Sequence, residues 1–155
     1  MKIGIIFYSE TGNTLGVCER ARDILAGDGL DVAFIRLKAD VVGNARSLRG
    51  LPPAQDYDLV ILGTPVHGFS LPIPVQQYLA RAQFKEGVRL GVLATQFFKA
   101  DWLGGTRTVN QAVAALSRFH PDVFGTAIVH VRSRRRDEQV NAAMRALTKI
   151  EEATR

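Results

Sequence analysis

Apolar residues occur along this chain as short unbroken runs separated by stretches of helical period. Ile3 to Tyr8 (IGIIFY) has no polar position on either face, the mark of a strand buried on both sides. From Asn13 the period changes. Val17, Cys18, Ala21, Ile24 and Leu25 fall on one helical stripe, which Gly27 and Gly29 terminate. Further strands are predicted over Val32 to Leu37, Leu59 to Gly63, Arg89 to Ala94 and Val123 to Val131. Between and after them lie helical stripes carrying Val75, Tyr78, Leu79 and Ala82, then Val109, Ala112, Val113 and Leu116, then Val140, Ala143, Met144 and Leu147. Apolar strands alternating with one-faced helices specify an α/β fold, a parallel sheet covered by helices on both faces. The stretch Lys38 to Asp56 fits least well. Its periodicity is poor, Pro52-Pro53 breaks it, and a short second helix near Val41 to Leu48 is expected there. No repeat or linker interrupts residues 1–155, so one domain is expected.

Composition narrows this little. The 155 residues are 46% hydrophobic and 23% charged, ordinary for a globular chain. Cys18 is the only cysteine, which excludes an internal disulfide and a cysteine-based metal site. The apolar run at the start is too short for a signal peptide's core, and no run approaches the length of a membrane helix. A cytoplasmic location is expected. The net charge of +5 leaves anionic partners open, so its placement matters.

The most informative stretch is the turn after the first strand, Ser9-Glu10-Thr11-Gly12-Asn13-Thr14. A helix start offers unpaired N–H groups and the positive end of the dipole to an anion. Three hydroxyls and one amide add side-chain donors, and Gly12 lets the backbone close around a phosphate. A plain helix cap needs one such residue rather than four. The loop has no Lys or Arg, and matches neither the triphosphate-binding G-x-x-x-x-G-K-[ST] nor the dinucleotide G-x-G-x-x-G pattern. Neutral donors of this kind suit a terminal monophosphate. Glu10, an acid beside a dianion, is expected to point to solvent.

Ser9-x-Thr11-Gly12-Asn13-Thr14 directly after a first strand resembles the phosphate loop of flavodoxins, and the resemblance in element order spans the chain. It implies a doubly wound five-stranded parallel sheet in the order 2-1-3-4-5, and FMN as cofactor. By the same resemblance Ser9, Thr11, Asn13 and Thr14 hold the FMN phosphate, with backbone help from Glu10 and Gly12. In a doubly wound sheet, ligands lie at the strands' carboxyl ends where the order reverses, a rule of which flavodoxins are themselves an example. The loops after the third and fourth strands are therefore expected above the first. Thr64, Pro65, Val66, His67, Gly68 and Phe69 form one; Thr95, Gln96, Phe97 and Phe98 through Trp102 to Gly104 and Gly105 form the other. Phe69, Phe97, Phe98 and Trp102 offer flat apolar surface for a flavin ring, and the glycines allow close backbone approach. One or two of the phenylalanines equally serve to anchor their loop, and a lone loop His such as His67 is commonly plain polar surface.

Flavodoxins are typically acidic around the flavin, and this chain departs from that. Arg132, Arg134, Arg135 and Arg136 close the fifth strand at the end of the sheet where the site is expected. They read either as a solvated turn, or as a docking patch for an acidic redox partner, or as a grip on the extra phosphate of NADPH. Electron transfer is the function expected first. An NAD(P)H-dependent FMN oxidoreductase acting on a quinone or similar acceptor is the alternative, and a phosphate-binding module without flavin a third. Other chemistry fares poorly. Gly68-Phe69-Ser70-Leu71-Pro72 misses the G-x-S-x-G elbow at its last position, and His67, His120 and His130 have no metal-ligand spacing. Cys18 reads as a small core residue. Nucleic-acid binding is not expected, because the aromatics do not interleave with the arginines.

Overall fold

The apolar runs become the strands of one sheet. The computed structural model describes residues 1–97, 104–131 and 135–154, with side chains to residue 145. Its elements are β1 (Ile3–Phe7), α1 (Asn13–Gly27), β2 (Val32–Arg36), β3 (Lys38–Val42), β4 (Ala45–Arg49), β5 (Leu59–Pro65), α2 (Ile73–Arg81), β6 (Arg89–Gln96), α3 (Gly105–Ala115), β7 (Asp122–His130) and α4 (Arg136–Thr154). A 3-10 turn, Ser117–Phe119, follows α3.

The main sheet runs β2-β1-β5-β6-β7, and every pairing in it is parallel. Counting only its own strands, this is the 2-1-3-4-5 order expected from the resemblance. Parallel strands need crossovers, and the right-handed crossover puts successive helices on opposite faces according to the direction of winding. Val17, Cys18, Ala21 and Leu25 of α1 join Val140 and Met144 of α4 on one face, over Ile5, Ile61 and Leu93. Val75, Tyr78 and Leu79 of α2 join Val109 and Ala112 of α3 on the other, over Ile6, Leu62 and Val92. Each fully buried Val, Leu, Ile or Met among them contributes roughly 1.5–3 kcal/mol. Helix α1 sits so close to β5 that a Cβ on Gly63 would lie 2.4 Å from Cys18 Sγ. Burial pushes that thiol up to about 12, as befits a core residue.

The expected helix near Val41 to Leu48 is not there. Residues Lys38–Val42 and Ala45–Arg49 instead form an antiparallel hairpin, a two-stranded sheet of its own. Gly43 takes φ +62 in the two-residue Gly43-Asn44 loop, a conformation glycine adopts without cost. The hairpin is mostly exposed; Leu48 alone of β4 is buried, and its N–H donates to Gln77 Oε1 of α2 at 2.6 Å. The described residues accordingly hold four α-helices rather than about five. No helix among them is long and apolar enough to cross a membrane.

Candidate functional site

The carboxyl ends of β1, β5 and β6 lie side by side, and the chain turns from each into the loops singled out by sequence. After β1, Gly12 adopts φ +90 and serves as the N-cap of α1 without any side-chain cap. The first amides of a helix have no partner within it, so they face whatever occupies the loop. Ser9, buried, braces the loop from inside by accepting a hydrogen bond from the Leu15 N–H at 3.2 Å. Thr14 is buried too. Its hydroxyl shares a 2.8 Å hydrogen bond with that of Thr95, tying the start of α1 to the end of β6. Thr11 and Asn13 remain exposed, with Asn13 Nδ2 donating to Thr11 Oγ1 at 3.3 Å.

After β5, His67 and Ser70 exchange backbone hydrogen bonds of 2.8 and 2.9 Å across a tight turn. Its central residues, Gly68 and Phe69, both have positive φ, +53 and +64, which is the signature of a type I′ turn. Gly104, at φ +115, presses against this turn: a Cβ there would meet the Phe69 Cα at 2.5 Å. The loops after β5 and β6 therefore touch. The Phe69 ring stays 53% exposed, and that of Phe97 54%.

Between the three loops lies a cleft of about 300 Å³, lined by Glu10, Thr11, Asn13, Thr14, Pro65, Val66, His67, Thr95, Phe97 and Val131. Of the residues expected at a site, Ser9 and Thr64 are buried beside it rather than on its wall, Thr64 donating to the Pro65 carbonyl at 3.0 Å. Gln96 is likewise buried, at the end of β6. Gly68, Phe69 and Gly104 build the touching turns. Gly105 opens α3, and a Cβ on it would meet Gln96 Oε1 at 2.3 Å. Phe98, Lys99 and Trp102 lie outside the described residues, as do Arg132 and Arg134. Arg135 is mostly exposed with Glu138 at 4.0 Å, and Arg136 lines the groove between α1 and α4. His120 pairs with Glu86 at 2.6 Å, away from the cleft wall.

One expectation about the loop needs correction. The Glu10 side chain does not point to solvent. It accepts a hydrogen bond from the Tyr8 hydroxyl at 2.6 Å, pairs with Arg46 Nε at 2.7 Å, and has His67 Nε2 at 3.5 Å, with its side chain 22% exposed. Burial, and then the bond to this carboxylate, push the Tyr8 hydroxyl well above its ordinary value. Cations, absent from the loop itself, reach it from other segments. Arg36, at the end of β2, donates Nη2 to the Ser9 carbonyl at 2.9 Å, and Arg46 arrives from the hairpin. Sequence reasoning missed Tyr8, Arg36, Arg46 and Val131. Arg36 lies next to the end of a predicted strand, Val32 to Leu37, and so was findable; Arg46 depended on a hairpin the periodicity did not reveal.

An open parallel sheet in this order, with a helix start and two loops converging at its reversal point, is a flavodoxin-like α/β fold. Among solved structures the chain is similar to the Trp repressor binding protein from Bacillus subtilis, at 18% identity and a TM-score of 0.68, covering 94% of this chain and 99% of that one. It is equally similar to a flavodoxin from Streptococcus pneumonia TIGR4, at 18% identity and a TM-score of 0.69 over 96% and 99%. An azoreductase from Bacillus anthracis str. Sterne shares the fold at 10% identity, with a TM-score of 0.63 over 97% and 98%. No protein-family model matches the chain, and no curated protein matches it by sequence.

Proposed function

We propose that the chain binds FMN in this cleft and acts in electron transfer. The observation that carries the proposal is the convergence itself: a helix start rich in hydroxyls and two loops bearing exposed aromatics share one cleft of about 300 Å³ at the reversal point of the sheet. The residues fit the cofactor. Thr11, Asn13 and the first amides of α1 would take the phosphate, with Ser9 and Thr14 holding the loop in shape. Pro65, Val66 and Phe97, with the Phe69 turn beside them, would take the ring. FMN supplies one- or two-electron transfer when bound; the chain's part is to bind and orient it. The named proteins of similar fold, flavodoxins among them, support the reading.

Purified protein is expected to be yellow, or to quench the fluorescence of added FMN with saturable binding. A colourless protein that leaves FMN fluorescence unchanged would remove the proposal and leave a phosphate-binding module. The exposed aromatic side of the cleft, and the azoreductase among proteins of this fold, favour a second reading, an NAD(P)H-dependent oxidoreductase. Steady NAD(P)H consumption with a quinone separates it from a carrier. For a carrier we propose an acidic redox partner that docks near Arg132, Arg134, Arg135 and Arg136, because Val131, just before that run, lines the cleft. A cytoplasmic setting suits either reading.

A further inference from the structure

A carboxylate inside a phosphate loop opposes the anion the loop would hold. Glu10 is such a group, lining the cleft with Thr11, Asn13 and Thr14. Three separate stretches bring polar groups to it: the Tyr8 hydroxyl just after β1 donates at 2.6 Å, Arg46 Nε of β4 lies at 2.7 Å, and His67 Nε2 of the turn after β5 lies at 3.5 Å. Arg46 comes nearer to the carboxylate than His67 does and is permanently charged. Its side chain is 42% exposed, so this pair adds little to folding. The charge balance at the loop, in contrast, depends on it directly.

We propose that Arg46 is a positioning residue for the cofactor's phosphate: the hairpin carries its guanidinium onto Glu10, cancels that charge and keeps the carboxylate engaged, so that the loop can accept a dianion. This rests on the FMN reading above. The hairpin β3–β4, which pairs with no strand of the main sheet, thereby acquires a role. Its register sets Arg46 opposite Val41, one pair in from the turn, and its far end is tied to α2 through Leu48 and Gln77.

The test compares FMN with riboflavin, which lacks the phosphate, by fluorescence quenching on the full chain. Arg46→Gln is expected to weaken FMN binding roughly tenfold, the scale of one charge-assisted contact left uncompensated. Riboflavin binding is expected to stay as in the wild type. Adding Glu10→Gln to Arg46→Gln removes the stranded charge and is expected to restore FMN affinity to within about threefold. The proposal is overturned if Arg46→Gln binds FMN as well as the wild type does. It is equally overturned if both ligands weaken alike, which is the mark of a distorted loop, or if the double variant shows no recovery. Wild-type protein that binds no FMN would instead overturn the cofactor reading, before any variant is made.

Discussion

Phe69 sits at φ +64, in the left-handed region where an L-residue costs roughly 1–2 kcal/mol. The turn keeps it there because Gly68 and Gly104 surround it: the backbone of Phe69 fills the space a Cβ on Gly104 would need. Asn tolerates this conformation far better. Phe69→Asn is therefore expected to stabilise the protein by up to about 1 kcal/mol in urea unfolding, and, under the proposed function, to weaken FMN binding through loss of the exposed side chain. A variant with unchanged stability would show that no strain resides there. Cys18, by contrast, is packed against the position of Gly63 and has no such freedom.

At the scale of elements, one side chain closes α2. Arg118 donates Nη2 to the carbonyls of Leu79 and Ala82, at 2.7 and 3.1 Å, and Nη1 to that of Ala115 at 2.7 Å. Its guanidinium also lies 4.4 Å from the centre of the Phe119 ring. A cation on the last carbonyls of a helix satisfies groups the helix itself leaves open. Arg118→Ala is expected to cost about 1–2 kcal/mol in thermal or urea unfolding, with FMN affinity unaffected because the contact is remote from the cleft wall. Loss of binding without loss of stability would contradict this assignment.

The central strands were legible because they are buried almost continuously, β1 throughout and β5 and β6 in all but one residue each, and α1, α2 and α3 because each buries one stripe. The hairpin was not, for the opposite reason. All five residues of β3 and four of the five of β4 are exposed or partly so, and one buried leucine makes no pattern. What the sequence did offer there was Gly43-Asn44 between two short runs, a hairpin turn signal. The site shows the same division. The hydroxyl-rich loop after β1 is a local run and could be singled out directly, whereas Arg46 and His67 reach Glu10 from two other segments that only the folded chain brings together.

Across the whole molecule, the end opposite the cleft is fastened by charge. Asp58, just before β5, accepts the Lys2 N–H at 2.8 Å and pairs with Lys85 Nζ at 2.6 Å. These bonds, the one from Lys85 foremost, hold its carboxyl below the ordinary 3.8. A carboxyl lowered on folding adds stability that is present above its unfolded value and disappears as pH falls through its folded value. Asp58→Asn is thus expected to be less stable than the wild type at neutral pH and to converge with it in strong acid. A difference that persists in acid would point to packing instead of charge.

The cleft wall takes residues 10, 11, 13 and 14, 65–67, 95, 97 and 131, so no single loop of the chain contains it. An occupant would be held by contributions from nearly the full length of the polypeptide, and any fluctuation that parts β1 from β6 would release it. Occupancy is therefore coupled to global opening more than to local fraying. With free ligand at a hundred times its dissociation constant, that coupling would raise the free energy of complete unfolding by about 2.7 kcal/mol. Loading would act as a keystone for the sheet, and the empty protein would be the form most open to proteolysis.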